Sequence, residues 1–299
     1  MGEGGCSFWL GNSDKMICLL YFCNIYNEGS EIMISKNRIK QIHSLGLKKF
    51  RDEQRLFVAE GPKVVDELLS VYSSVYVAAL PEWLEAHSCD LNLLSGCTVD
   101  RVTQDELRKV SFLQHPQEVL AVFRQPDYEM PDADTLRQSL CIALDGVQDP
   151  GNVGTIIRLA DWFGITRIFC SLHTADAFSP KVVQATMGAL ARVYIYNVDL
   201  PEWMERLPQD WPIYGTLLDG HNIYDTELQQ CGLIVMGSEG RGISPRVAQM
   251  VNQRLLIPPF PEGRPTSESL NVAIATAVVC AEFRRRAVAV AVAVGNVCN

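Results

Sequence analysis

The sequence lacks any apolar run of the ~20 residues that a membrane-spanning helix takes. The apolar segment 16–26 is too short for that, and it has neither the basic flank nor the cleavage site of a signal peptide. No membrane partner is therefore expected. The ten cysteines form no C-x-x-C pair and show no metal-ligand spacing, and a chain of 299 residues is far longer than the small secreted domains that depend on disulfides. Reduced thiols in a cytoplasm, and no metal, are the expectation. Positive charge is also in short supply: 26 Lys and Arg face 35 Asp and Glu, for a net charge of −9 and a pI near 5.1. That balance argues against the broad basic surface of a nonspecific nucleic-acid binder. The G-x-G-x-x-G fingerprint, the P-loop lysine pattern and H-E-x-x-H are all missing, which disfavours a nicotinamide enzyme, a P-loop hydrolase and a zinc protease.

What is present divides into roughly two domains. Residues 1–32 read as a poorly specified leader, and 287–299 as a low-complexity tail. Between 33 and 63 lies the one basic island of an acidic chain. Lys36, Arg38, Lys40, Lys48, Lys49, Arg51, Arg55 and Lys63 stand against only Asp52, Glu53 and Glu60. A solvated helix face is the bland account of such charges. The surplus against the sign of the whole chain favours an arm that contacts phosphates through Lys48, Lys49 and Arg51. Short apolar strands and helices then alternate: strand 56–59, helix 62–71, strand 75–80, a Thr103/Glu106 capping box ahead of a helix, and strand 119–123. Residues 33–126 thus form a small α/β module without a catalytic cluster. His87 and His115 are single and read as surface or satisfied residues. Residues 127–139, with Pro131 and four carboxylates, read as a linker.

The second domain, 140–286, repeats the pattern strand, loop, helix. Strands are expected at 140–144, 165–170, 193–196, 213–217, 233–236 and 255–257, with helices at 155–163 and 180–190. Strands alternating with helices imply a mainly parallel sheet covered on both faces, with ligands near the strand C-terminal ends. Three of those ends carry unusual residues: Asn152, Gly154 and Arg158 after the first; GSEGRGIS at 237–244; and IPPF with SESLN after the last. Taken singly, the glycines are explained as turns and Asn152 as a helix cap. Residues 257–286 are the densest stretch. Three prolines, Pro258, Pro259 and Pro261, stop regular structure, and a helix apolar nearly all round follows. Arg284, Arg285 and Arg286 in its last turn would suit the negative end of the helix dipole. Ser267, Glu268, Ser269 and Asn271 crowd the helix start, where backbone amides are free.

In this order the three loops resemble the motifs of the SpoU (TrmH) family of RNA ribose 2′-O-methyltransferases, part of the SPOUT superfamily. NVGTIIRLADWFGI is similar to the first motif, IVMGSEGRGIS to the second and IPPFPEGRPTSESLNVAIATAVV to the third. KNRIKQIHSLGLKKFRDEQRLFVAEG is similar to the basic arm and first strand of the family's N-terminal substrate-binding domain, which is L30e-like. The resemblance implies an α/β fold with a deep trefoil knot in the C-terminal domain, S-adenosylmethionine as methyl donor, a homodimer, and RNA as substrate. Ribosomal RNA is favoured over transfer RNA, and a non-catalytic RNA-binding or assembly factor is the alternative from another class. By position, the resemblance assigns Asn152, Arg158, Glu239, Ser269 and Asn271 to catalysis. The cofactor falls to Thr216, Gly237, Ile257, Pro259 and Leu270. A guanidinium normally stays protonated, so Arg158 suits a phosphate clamp or a stabiliser of a developing alkoxide better than a base. Glu239 would orient Arg158 or accept the proton. The segment PPFPEGRPTSE is longer than the family's usual turn between its last two motif halves.

Overall fold

In the computed structural model, residues 34–88, 94, 96–261, 267 and 269–295 are described. The leader 1–32, residues 262–266 and Glu268 of the long loop, and the end of the tail lie outside them. The strands are β1 (Leu56–Glu60), β2 (Ser74–Ala79), β3 (Thr98–Arg101), β4 (Val119–Arg124), β5 (Leu140–Asp145), β6 (Arg167–Ser171), β7 (Tyr194–Val198), β8 (Ile213–Asn222), β9 (Gly232–Gly237) and β10 (Gln253–Leu256). The α-helices are α1 (Lys36–Ser44), α2 (Lys48–Gln54), α3 (Pro62–Leu69), α4 (Pro81–Ala86), α5 (Gln104–Val110), α6 (Ala133–Arg137), α7 (Pro150–Trp162), α8 (Pro180–Thr186), α9 (Leu200–Met204), α10 (Pro245–Ala248) and α11 (Val272–Gly295).

Two sheets result. The first, ordered β1-β4-β2-β3, is antiparallel except for β2 beside β3. The second, β10-β8-β9-β5-β6-β7, is parallel throughout. The chain enters that sheet at β5, grows outward through β6 and β7, then returns to the other side of β5 with β9, β8 and β10. The strand order therefore reverses between β5 and β9, the place where parallel sheets open a crevice at their C-terminal ends.

Side chains alternate across the pleat, and the burial follows. Leu140, Ile142 and Leu144 of β5 face the core shared with α7, α8 and α11, while Cys141 and Ala143 face Leu200, Met204, Trp211 and Val247 on the opposite side. α7 and α8 approach closely at Gly154, where an added Cβ would meet the Ala185 methyl at 2.4 Å. That glycine is there for helix packing.

The two sheets share one core. Phe57 of β1 stacks on Phe123 and meets Phe178 of the second half at 5.0 Å between ring centroids. Around it, the Tyr72 hydroxyl donates to the Leu190 carbonyl at 2.8 Å, and Arg192 bridges Asp161 and Glu67 across the junction. Ala133–Arg137, within the expected linker, is a helical turn capped by Asp132.

The arginines of the last helix do not end it. α11 runs on to Gly295, through the start of the expected tail, so the dipole account does not apply. Arg284 instead donates to the carbonyls of Phe163 and Gly164, and Arg286 to those of Ile223, Tyr224 and Thr226. They fasten the helix sideways to the end of α7 and to the loop after β8.

Candidate active site

The site begins with a cap. Asp149 sits before Pro150, and its carboxylate accepts from the Asn152 backbone amide at 2.8 Å, so α7 starts five residues earlier than the apolar spacing alone indicates. Asn152 is therefore inside the first turn and its side chain is not spent on capping, contrary to the bland account of it. Its Nδ2 donates to Glu239 Oε1 at 2.7 Å. Asn271 closes a ring, its Nδ2 donating to the same Glu239 oxygen at 2.7 Å and to Asn152 Oδ1 at 3.1 Å. Meanwhile Asn271 Oδ1 accepts from the Ala273 and Ile274 amides, satisfying the orphan donors at the start of α11. Three loops far apart in sequence are thus knit by side chains at the β5/β9 crevice.

The glycine loop is held by its own backbone. Asp145, the last residue of β5, accepts from the Ser244 amide at 2.7 Å, and Ser238 and Gly242 pair as a bridge. A Cβ on Gly237 would fall 2.3 Å from the Gly242 carbonyl carbon. Gly237 is therefore required for this fold-back of the chain on itself. Beneath Glu239 lies an open cleft of about 310 Å³, lined also by Val147, Gln148, Asp149 and Arg241.

Not every expected residue joins the cluster. Arg158 is exposed, six residues beyond Asn152 on α7, and among the described residues forms no hydrogen bond or ion pair. Glu239 consequently does not orient Arg158; its partners are the two asparagines. Ser269 is exposed two residues before Asn271. Thr216, Gly237 and Ile257 belong to the neighbouring strands β8 and β9 and to the exit of β10, and Leu270 and Pro259 are exposed in the loop after β10. No charged side chain stands among these five. Among the described residues the half-buried Thr216 hydroxyl has only long contacts, to the Val235 carbonyl at 3.5 Å and Met236 sulfur at 3.8 Å. Apolar wall, backbone groups and one underused hydroxyl suit an adenosine-bearing ligand.

Of the basic arm, Lys48 and Lys49 are exposed on α2. Arg51 is not an RNA contact. It is 2% exposed, with Nε and Nη2 on Asp176 Oδ2 at 2.8 and 2.5 Å and Nη1 on the Leu45 carbonyl at 2.7 Å. A guanidinium buried in this way is withheld from a phosphate in solvent. The thiols nearest the sheet are inert, since burial pushes Cys141, Cys170 and Cys280 up to about 12. Sequence reading missed Asp145 and Asp149 as scaffolding; the Asp149-Pro150 pair was the available signal for the second.

Comparison with known proteins agrees with this geometry. The SpoU rRNA Methylase family matches residues 139–281, and the MRM3-like substrate binding domain matches residues 36–121. A solved protein of the TrmH family of RNA methyltransferases from Porphyromonas gingivalis is 41% identical, with a TM-score of 0.74 over 85% of this chain and 99% of that one. The chain belongs to the SpoU (TrmH) family. Another SpoU-type structure, an AdoMet-bound rRNA methyltransferase from Sinorhizobium meliloti, is 30% identical with a TM-score of 0.73, covering 85% and 96% of the two chains. Among curated SpoU relatives, the 23S rRNA (guanosine(2553)-2′-O)-methyltransferase RlmP of Bacillus subtilis is 28% identical over 257 residues, 85% of this chain and 99% of its own length.

Proposed function

We propose that this protein methylates a ribose 2′-hydroxyl of ribosomal RNA, using S-adenosylmethionine. The observation that carries the reading is the hydrogen-bonded ring of Asn152, Glu239 and Asn271, built from all three family motifs at the β5/β9 crevice. The rRNA methyltransferases it resembles over nearly their whole length favour ribosomal over transfer RNA as substrate.

S-adenosylmethionine supplies an electrophilic methyl group on a sulfonium. Thr216, Gly237, Ile257, Pro259 and Leu270 would hold it. The chain's other task is to present a ribose hydroxyl in line and remove its proton. Glu239 Oε1 is committed to two amides, while Oε2 takes no hydrogen bond among the described residues. We assign Oε2 as the proton acceptor, steadied by the asparagine pair. Arg158, uncommitted and always charged, serves as a clamp on a neighbouring phosphate. Ser269, exposed two residues before Asn271, is assigned to the same site.

The same reading includes a basic arm and L30e-like RNA-binding domain at 33–126, a linker at 127–139 and a methyltransferase domain at 140–286. In support of a threaded C-terminal segment, β10 lies at the outer edge of the sheet while α11 returns to pack on α7 beside the centre. A homodimer is supported by apolar side chains left outward on those two packed helices, Trp162 at 83% and Ile274 at 56% exposure. Among the described residues no helix is long and apolar enough to cross a membrane, and a cytoplasmic enzyme is part of the reading.

The test is methyl transfer to purified ribosomal RNA, with methylated riboses mapped. Glu239→Gln keeps an oxygen for the amides but removes the base, so turnover is expected to fall 10²-fold or more with RNA affinity within twofold. Transfer by Glu239→Gln at the wild-type rate would remove Glu239 as proton acceptor. No calorimetric signal with S-adenosylmethionine would sink the enzyme reading altogether.

A further inference from the structure

One segment outside the motifs is bonded both to the catalytic loop and to the RNA-binding half. After β6 the chain turns through Ser171, Thr174, Ala175 and Asp176 before Phe178 enters the shared core. On one side, this turn grips the loop that leads to Asn152. The Ser171 hydroxyl accepts from the Gly146 amide at 2.9 Å, the Thr174 hydroxyl donates to the Leu144 carbonyl at 2.8 Å, and the Ala175 amide donates to the Val147 carbonyl at 2.9 Å. Ser171 and Thr174 are both buried, and their hydroxyls lie 3.0 Å apart. On the other side, Asp176 takes two donors from buried Arg51, a residue of the short helix α2 that also carries the exposed Lys48 and Lys49.

We propose that Arg51 and Asp176 are positioning residues for the methyl transfer: they join the helix presenting the RNA-contacting lysines to the turn that shapes residues 145–152. The argument rests on the methyltransferase reading for what is being positioned, and on geometry alone for the joint. A buried fork-to-carboxylate contact is directional, and removing one partner leaves the other desolvated and unpaired. Asp176 also accepts from the Phe178 amide at 3.0 Å, so its orientation is fixed from within the turn. The register between arm and catalytic loop is thereby set by bonds running Arg51, Asp176, Ala175, Val147, with a parallel route through Thr174 and Leu144. An RNA held on Lys48 and Lys49 is offered to Asn152 and Glu239 at a distance that this turn determines.

Hydrogen–deuterium exchange on the full chain tests the joint without needing catalysis. In Asp176→Asn, amides in 145–152 are expected to exchange at least tenfold faster than in the wild type, with those of β8 and β9 unchanged. Single-turnover transfer to ribosomal RNA should drop tenfold or more at saturating RNA. The salt dependence of RNA binding should stay the same, since both lysines remain. Asp176→Glu keeps the carboxylate and should recover most of the protection. Thr174→Val, which leaves the ion pair intact, should release the same amides. Unchanged exchange at 145–152 in both Asp176→Asn and Thr174→Val, or an equal rise everywhere, would overturn the joint. If the wild type transfers no methyl group, the functional reading falls and the exchange result still decides the joint.

Discussion

At the scale of single residues, chemistry follows from which polar atoms are already committed. Asn152, Glu239 and Asn271 hold one another through Glu239 Oε1, so their exposure to solvent does not make them loose. Arg158 is the opposite case, a cation without a protein partner among the described residues. If it clamps phosphate through the guanidinium fork, Arg158→Lys keeps the charge and loses the bidentate geometry. Turnover is then expected to fall at least tenfold while S-adenosylmethionine affinity, measured by calorimetry, holds. Near wild-type turnover would count against the clamp. The motif residues were legible because a family pattern marks them by order and spacing. Arg51 was misread because nothing in a run of lysines and arginines says which one turns inward; that depends on Asp176, 125 positions away.

At the scale of elements, periodicity located most strands of both halves and the longer apolar helices, but not the helix starts. The helix after β5 was expected at 155 because its apolar positions begin there, whereas Asp149 and Pro150 set its real first turn. Short α6, α9 and α10 carry too few apolar positions for a period to show. α11 illustrates how charge is settled by tertiary partners. Glu282 is 5% exposed at its side chain, and hydrogen bonds from Arg285 and then Arg286 outweigh burial and hold its carboxyl down at about 2. Since that lies below the ordinary 4.5, the stabilisation is complete above pH 4.5 and disappears as the pH falls toward 2. Arg285 is 64% exposed and screened by solvent, so the pairs contribute about 1 kcal/mol. Thermal melts across that window should therefore show Glu282→Gln less stable than wild type at pH 7 and converging with it in acid; parallel curves would refute the pairing.

At the scale of the whole molecule, the acidic total and the basic arm are reconciled by placement. Lys48 and Lys49 stay outward on a helix anchored by Arg51. Replacing both lysines by Ala should weaken RNA binding and lower the slope of log affinity against log salt by about 1.5, leaving cofactor affinity alone. An unchanged slope would return the arm to a solvated face.

The ring at the β5/β9 crevice also has a bearing on synthesis. Asn152 and Asn271 are 119 positions apart, and the second arrives only with the last helix. A ribosome partway through the message has already released β5, α7 and β9, yet the glutamate still lacks one of its two amide donors. The ring is therefore complete only after the last helix has been synthesised, so a chain cut short before Asn271 would carry Asn152 and Glu239 without their third partner.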